Sequence, residues 1–163
     1  MIFASLGTMD MPFERMAQAV DALAASRQER VVVQTGYTPF HYRHADAFDF
    51  CTKDEMQRYL DEADVVVLQG GWGAISEAME KRKKIVVMPR RDKTEHIHDQ
   101  FQLVRKLDAL GCVIGVFDAD DLLSAVDRAQ TFPFQQMERG NAEGLIRLAL
   151  KDWFRPSDEH SLI

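Results

Sequence analysis

Three short segments of this 163-residue sequence hold residues whose types and spacing suit chemistry with anions and hydroxyl groups. Gly7-Thr8 supplies a tight turn, a hydroxyl and free backbone N–H groups at a helix entrance, a setting for a phosphate oxygen or equally for an ordinary turn and cap. Gly70, Gly71 and Gly73 carry no side chains that would block an anion from the N–H groups of the helix that follows. That helix's dipole also favours negative charge, and a diphosphate fits the description. Glycine serves close strand-to-helix packing as well, so the turn alone has two readings. Trp72, among these glycines, could stack on a ligand, cover a partner surface or pack internally. Glu77, one helical turn on, could accept hydrogen bonds from a pair of ribose hydroxyls, or merely stabilise the helix dipole.

The third segment, Pro89 to Gln100, is a polar loop leading into a helix. Arg90 could pair with phosphate, while Glu95, Asp99, Gln100 and Gln102 offer the acceptors and amides that read sugar hydroxyls. Glu95, His96 and His98 are also conceivable metal ligands, though clustered surface polar residues are commoner. Lys81-Arg82-Lys83-Lys84 is either a solvated helix end or, with Arg90, Arg91 and Lys93, a basic face for anionic lipid or a partner. His41, Tyr42, Arg43 and His44 form an aromatic and basic patch suited to a partner contact. His160 falls in a polar tail.

These segments need a scaffold, and hydrophobic periodicity supplies one. Apolar runs at Met1–Leu6, Val31–Val33, Ala47–Phe50, Val65–Leu68, Ile85–Met88 and Cys112–Phe117 predict six strands. Between them, helical periodicity joins Phe13, Met16, Ala17, Val20 and Leu23, with Asp10 and Pro12 marking the start. Thr52 and Glu55 form a capping box opening a helix through Met56, Tyr59, Leu60 and Ala63. Ile75, Ala78 and Met79 mark another, and Leu103, Val104, Leu107 and Leu110 one that Gly111 stops. Two more helices are expected near Leu122–Ala129 and Ala142–Trp153. Strands apolar throughout, alternating with amphipathic helices, predict an α/β fold: a Rossmann-like parallel sheet with helices on both faces. Residues 1–155 form one domain and 156–163 a polar C-terminal tail. In such a sheet ligands bind beyond the C-terminal strand ends, where all three segments fall.

Composition narrows the function classes. Lys plus Arg (20) against Asp plus Glu (26) gives a net charge of -6, which disfavours a general nucleic-acid binder. No apolar run approaches the roughly 18 residues of a membrane span. The first cation is Arg15, so a secretory signal's charged region is missing and a cytoplasmic location is expected. Cys51 and Cys112 are far apart, outside any CxxC, and read as core residues.

Taken together, MIFASLGTMDMPFERM, VVVQTGY, ADVVVLQGGWGAISEAME and VVMPRRDKTEHIHDQ resemble, in order and spacing, the small donor-binding subunits of two-component glycosyltransferases. Those subunits are themselves similar to the C-terminal half of family 28 enzymes, and the similarity spans roughly residues 1–117. The resemblance implies a GT-B half-domain holding a UDP-sugar. Diphosphate would lie at Gly70–Gly73, ribose at Glu77, and the sugar near Glu95, His96, Asp99 and Gln100. It also implies a membrane-anchored partner subunit that binds a lipid-linked saccharide acceptor and recruits this chain to the inner membrane face. Transfer would invert the anomeric centre, with helix N-termini and Arg90 stabilising the departing diphosphate, so no metal or other cofactor is expected. The acceptor's base would sit on the partner. Many relatives carry His where this chain has Gln69, a small residue at Trp72, and Asp-His-Gln where it has Asp99-Gln100-Phe101. Two alternatives stand beside this reading. GGWGAISE also resembles the PGGxGTxxE turn of nucleotide phosphoribohydrolases, although no proline precedes the glycines and Ala74 replaces Thr. The other is a non-catalytic regulatory subunit that retains UDP-sugar binding.

Overall fold

The computed structural model of the protein describes residues 1–91, 95 and 99–136. The expected Ala142–Trp153 helix and the 156–163 tail lie outside the described residues, as do His96, His98, Lys93 and His160. In chain order the elements are β1 (Ile2–Ser5), α1 (Glu14–Ala25), β2 (Val31–Gln34), β3 (Asp46–Phe48), α2 (Lys53–Glu62), β4 (Val65–Gln69), α3 (Trp72–Glu80), β5 (Lys84–Met88), α4 (Phe101–Ala109), β6 (Ile114–Gly115) and α5 (Leu122–Ala129), with a 3₁₀ turn at Ala119–Asp121 before α5.

All strand pairs are parallel, in the order β3-β2-β1-β4-β5-β6. Both sheet faces are covered, and the two-residue side-chain alternation of a strand decides which residues go where. Ile2, Ala4, Val65, Val67, Val86 and Met88 pack with Met16, Val20 and Leu23 of α1 and with Val126 of α5. Phe3, Val66, Leu68, Ile85 and Val87 pack on the other side with Leu60 of α2, Ile75 of α3 and Val104 of α4. This two-sided burial explains why β4 and β5 read as continuous apolar runs instead of alternating ones.

Several boundaries differ from the sequence expectation. Helix α1 begins after Phe13, with no side-chain cap from Asp10. The Phe13 N–H instead donates to Thr38 Oγ1 at 3.0 Å, a contact from the loop beyond β2. The sixth strand shrinks to Ile114–Gly115, and on its outer side the Gly115 N–H donates to Asp108 Oδ1 at 2.9 Å. Cys112 is buried, whereas Cys51 is only partly so. The lysine cluster does not join the Arg90 region: Lys81 and Lys83 bind Asp61 and the Ala63 carbonyl near the end of α2, and Lys84 binds Gln130. Strand β5 runs between that cluster and Arg90, so among the described residues the two do not share a face. The stretch from Gly36 to Ala45, before β3, is irregular, and Asp21 of α1 secures its end. Its Oδ1 accepts the N–H groups of Arg43, His44 and Ala45 at 3.0, 2.9 and 3.2 Å.

Candidate nucleotide-sugar site

The strand order reverses between β1 and β4, so the segments leaving these neighbours diverge and open a crevice at their C-terminal ends. Gly7 and Thr8 form one wall and Gly70, Gly71, Trp72 and Gly73 the other. Gly7 has φ +84°, a conformation that favours glycine.

The paired glycines and Gly73 prove to have different reasons for being glycine. A Cβ on Gly70 would lie 2.7 Å from Gln100 Oε1, and one on Gly71 would lie 2.1 Å from Gln69 Nε2. Gly70 is therefore dictated by packing, since the Cβ of buried Gln100 would also lie 2.9 Å away, whereas at Gly71 only the far end of the Gln69 side chain would have to move. A Cβ on Gly73 would meet nothing within 4 Å. Nothing in the described chain requires glycine there, and the space above it is open.

That space lies at the N-terminus of α3. Gly71 occupies the N-cap in extended conformation, with no side-chain cap. Intrahelical bonding starts with Ile75 N–H to the Gly71 carbonyl at 3.3 Å, so among the described residues the N–H groups of Trp72, Gly73 and Ala74 have no acceptor. Together with the helix dipole, three such donors make a receptor for an anion. Trp72 is 49% exposed, so about half its surface is open to a ligand or a partner. Glu77 follows Gly73 by four residues and so rises from the same side of the helix. It is partly exposed, and among the described residues its side chain accepts only a long 3.3 Å bond from Gln57 Nε2.

The segment after β5 departs from expectation. The Arg90 side chain, expected to meet phosphate, is 1% exposed. Its guanidinium donates to the carbonyls of Leu6 (2.7 Å), Met11 (2.7 Å) and Glu95 (3.0 Å), tying the loop after β5 to the loop after β1. Burial pushes its pKa down to about 10, with Glu95 acting in the opposite direction. Its Cζ lies 4.6 Å from the Phe13 ring centroid, and Arg15 approaches the same ring at 4.9 Å. Glu95, expected to read sugar hydroxyls, instead accepts from Arg15 at 2.8 and 3.0 Å and from the Arg91 N–H at 2.7 Å. Arg15 also donates to the Pro89 carbonyl. Arg90, Glu95 and Arg15 thus build the wall beside Gly7 and are committed to the chain itself.

Gln100 is 6% exposed, and both ends of its amide are taken. Its Oε1 accepts the Arg90 N–H at 3.0 Å, and its Nε2 donates to Gln69 Oε1 at 2.9 Å. Asp99 is exposed, and one oxygen caps α4 by accepting the Phe101 N–H at 2.8 Å. The structure therefore brings together Gly7, Thr8, the Gly70–Gly73 turn and Gln69 around one crevice, with Glu77 a turn above. The hydrogen bonds of the Arg90, Glu95 and Gln100 side chains run instead to other parts of the chain. Gln69 itself was noted in the sequence only as a departure from relatives. Its position before the paired glycines was the available signal.

The sequence matches the glycosyltransferase family 28 C-terminal domain over residues 4–151. The chain belongs to that family. Its match runs from β1 through the post-β5 segment, so it includes the residues that a phosphoribohydrolase turn alone leaves unexplained. Comparison with curated protein sequences finds no match.

Among solved structures, the family 28 domain is similar in fold to the kitacinnamycin glycotransferase, with TM-score 0.60 and 22% identity over 81% of this chain and 35% of that one. The spinosyn forosaminyltransferase SpnP matches with TM-score 0.61 and 13% identity, over 93% of this chain and 39% of that one. ALG13, solved by NMR, matches with TM-score 0.57 and 17% identity, over 90% of this chain and 93% of its own length. The chain thus spans between a third and two fifths of the first two proteins, but the length of ALG13 almost entirely. The likeness establishes a GT-B-type C-terminal fold. Among the described residues no helix is long and apolar enough to cross a membrane.

Proposed function

We propose that this chain is the donor-binding half of an inverting two-component glycosyltransferase, holding a UDP-sugar while a membrane-anchored partner subunit holds a lipid-linked saccharide acceptor. The observation that carries the reading is the uncapped N-terminus of α3 beneath the open space at Gly73, with Glu77 one turn above, in a family 28 domain. The diphosphate binds the N–H groups of Trp72, Gly73 and Ala74, and Glu77 accepts the ribose hydroxyls. The sugar donated is a hexose, hexuronic acid or N-acetylhexosamine, used in polysaccharide synthesis.

The acceptor hydroxyl attacks the anomeric carbon on the face opposite the diphosphate. As the glycosidic bond to UDP lengthens, negative charge grows on the departing diphosphate, and the α3 N-terminus stabilises it without a divalent ion. Arg90 contributes by holding the Leu6 and Met11 carbonyls in place, not by touching phosphate. The base that takes the acceptor's proton belongs to the partner half, which also excludes water from the cleft.

Calorimetric titration of the purified chain with UDP, UDP-glucose, UDP-glucuronate, UDP-N-acetylglucosamine and AMP, without added metal, tests this reading. Binding of UDP and of one UDP-sugar in preference to AMP is the expected result. Glu77→Ala should weaken UDP binding about tenfold or more, through the loss of hydrogen bonds to a charged acceptor. Binding of AMP in preference to UDP, or UDP affinity unchanged in Glu77→Ala, overturns the assignment.

A further inference from the structure

The crevice contains one side-chain amide whose polarity the surrounding hydrogen bonds determine. A backbone N–H can only donate, so the Gln100 atom that meets the Arg90 N–H at 3.0 Å must be its oxygen. The other end of the Gln100 amide is then an NH₂ group, which must find an acceptor, and at 2.9 Å it meets Gln69 Oε1. This leaves Gln69 with only its NH₂ end unassigned. That Nε2 occupies the gap between the two crevice walls: it would lie 2.1 Å from a Cβ on Gly71 and 3.2 Å from one on Gly7. Among the described residues it has no hydrogen-bond acceptor. Gln100, being 6% exposed and held at both ends, has no freedom to turn and reverse the sequence of bonds.

We infer that Gln69 is a donor to the anionic diphosphate and that Gln100 is a positioning residue which fixes its amide in the donating orientation. The inference rests on the donor-site reading above. It adds a side-chain donor on the β1 side of the anion, opposite the backbone donors of α3, and it reassigns Gln100 from reading sugar to orienting Gln69.

The test is isothermal titration with UDP on the whole chain, together with the ¹⁵N–¹H spectrum of its glutamine side chains. Addition of UDP should shift the Gln69 NH₂ resonances, identified by their absence in Gln69→Leu. Gln69→Leu should lose roughly ten- to a hundredfold in UDP affinity, as expected for a hydrogen bond to a charged group.

Gln100→Glu tests the orientation. At pH 8 its carboxylate still accepts the Arg90 N–H but cannot donate, so Gln69 turns and presents its oxygen to the phosphate. Affinity should fall by a similar factor, then recover as the pH drops through the new carboxyl's pKa and its protonated form donates to Gln69 Oε1. In the Gln69→Leu background the same change should cost less than about threefold, whereas simple charge repulsion would persist there. Wild-type protein that binds no UDP overturns the donor-site reading and this inference with it. Wild-type binding with unmoved Gln69 resonances and unchanged Gln69→Leu affinity overturns the inference alone. A Gln100→Glu penalty of equal size in both backgrounds removes the orienting role.

Discussion

Gly70 and Gly73 stand three residues apart and separate packing from ligand access. A Cβ at position 70 would lie 2.9 Å from the Cβ of buried Gln100, whereas one at position 73 enters open space. Gly73→Ala should therefore fold at least as stably as the native chain, since alanine costs a helix less than glycine by up to about 1 kcal/mol. It should nonetheless bind UDP more weakly, because the new methyl enters the space above the N–H donors. Gly70→Ala should lose thermal stability as well. Melting curves and UDP titrations of the two variants distinguish these outcomes; equal loss of stability in both would remove the special status of Gly73. The Gly-rich turn and Glu77 were legible in the sequence because their relation to one another is local, lying within a single strand-to-helix junction. The roles of Arg90 and Glu95 were not, because their partners Leu6, Met11 and Arg15 are some eighty residues away. An arginine in a polar loop reads as a free cation until its carbonyl partners are seen.

The same distinction between local and distant determinants holds for the elements. Thr52 and Glu55 form the expected capping box, with both reciprocal bonds present, since every partner lies within four residues. Helix α1 starts later than expected, after Phe13, whose N–H is held by Thr38 twenty-five residues on, a partner that local sequence does not show. Arg90→Met should destabilise the fold by about 3 kcal/mol, as the substitution leaves three carbonyls without their charged donor. Denaturant unfolding measures this; a stability loss below 1 kcal/mol would return Arg90 to the list of ligand contacts. Asp21 makes the anchoring of the irregular loop on α1 dependent on pH. Burial raises the pKa of this carboxyl, but the N–H groups of His44, Ala45 and Arg43 outweigh burial and leave it below the ordinary carboxylate value. A folded-state pKa below the unfolded one contributes stability above about pH 3.9 and loses it as pH falls through the folded value. Asp21→Asn should thus be about 1 kcal/mol less stable than the native chain at pH 7, with the gap closing in acid. Urea unfolding at pH 7 and pH 3 checks the sign.

For the molecule as a whole, the parallel sheet was implicit in the alternation of apolar strands with amphipathic helices, whereas its order β3-β2-β1-β4-β5-β6 emerges only in the fold, and the parallel arrangement brings every strand's C-terminal end to one side. The short β6 was not legible, because how far an edge strand pairs with β5 is settled by the folded register and not by the apolar run Cys112–Phe117 itself. Ligand binding should be felt across this single cooperative sheet. UDP at a hundred times its Kd should add about 2.7 kcal/mol of stability and raise the Tm by roughly 5–10 °C for a chain of this size. Glu77→Ala should show a smaller rise at the same concentration, and a UDP-independent Tm at saturating ligand would contradict specific binding to the folded state.

Gly36 follows β2, outside the crevice, yet it constrains what this fold can be evolved to do. It has φ +57°, and a Cβ built on it would lie 2.1 Å from the Gly7 carbonyl oxygen. Gly7 has its own positive φ, so relaxing one position does not free the other. The two turns are interlocked backbone against backbone, with no side chain to trim. Libraries that aim to change sugar preference should therefore hold Gly7 and Gly36 constant and diversify the exposed positions, Thr8, Trp72 and Asp99. Variation at the interlocked pair would yield chains that fail to assemble the crevice before their selectivity could be tested.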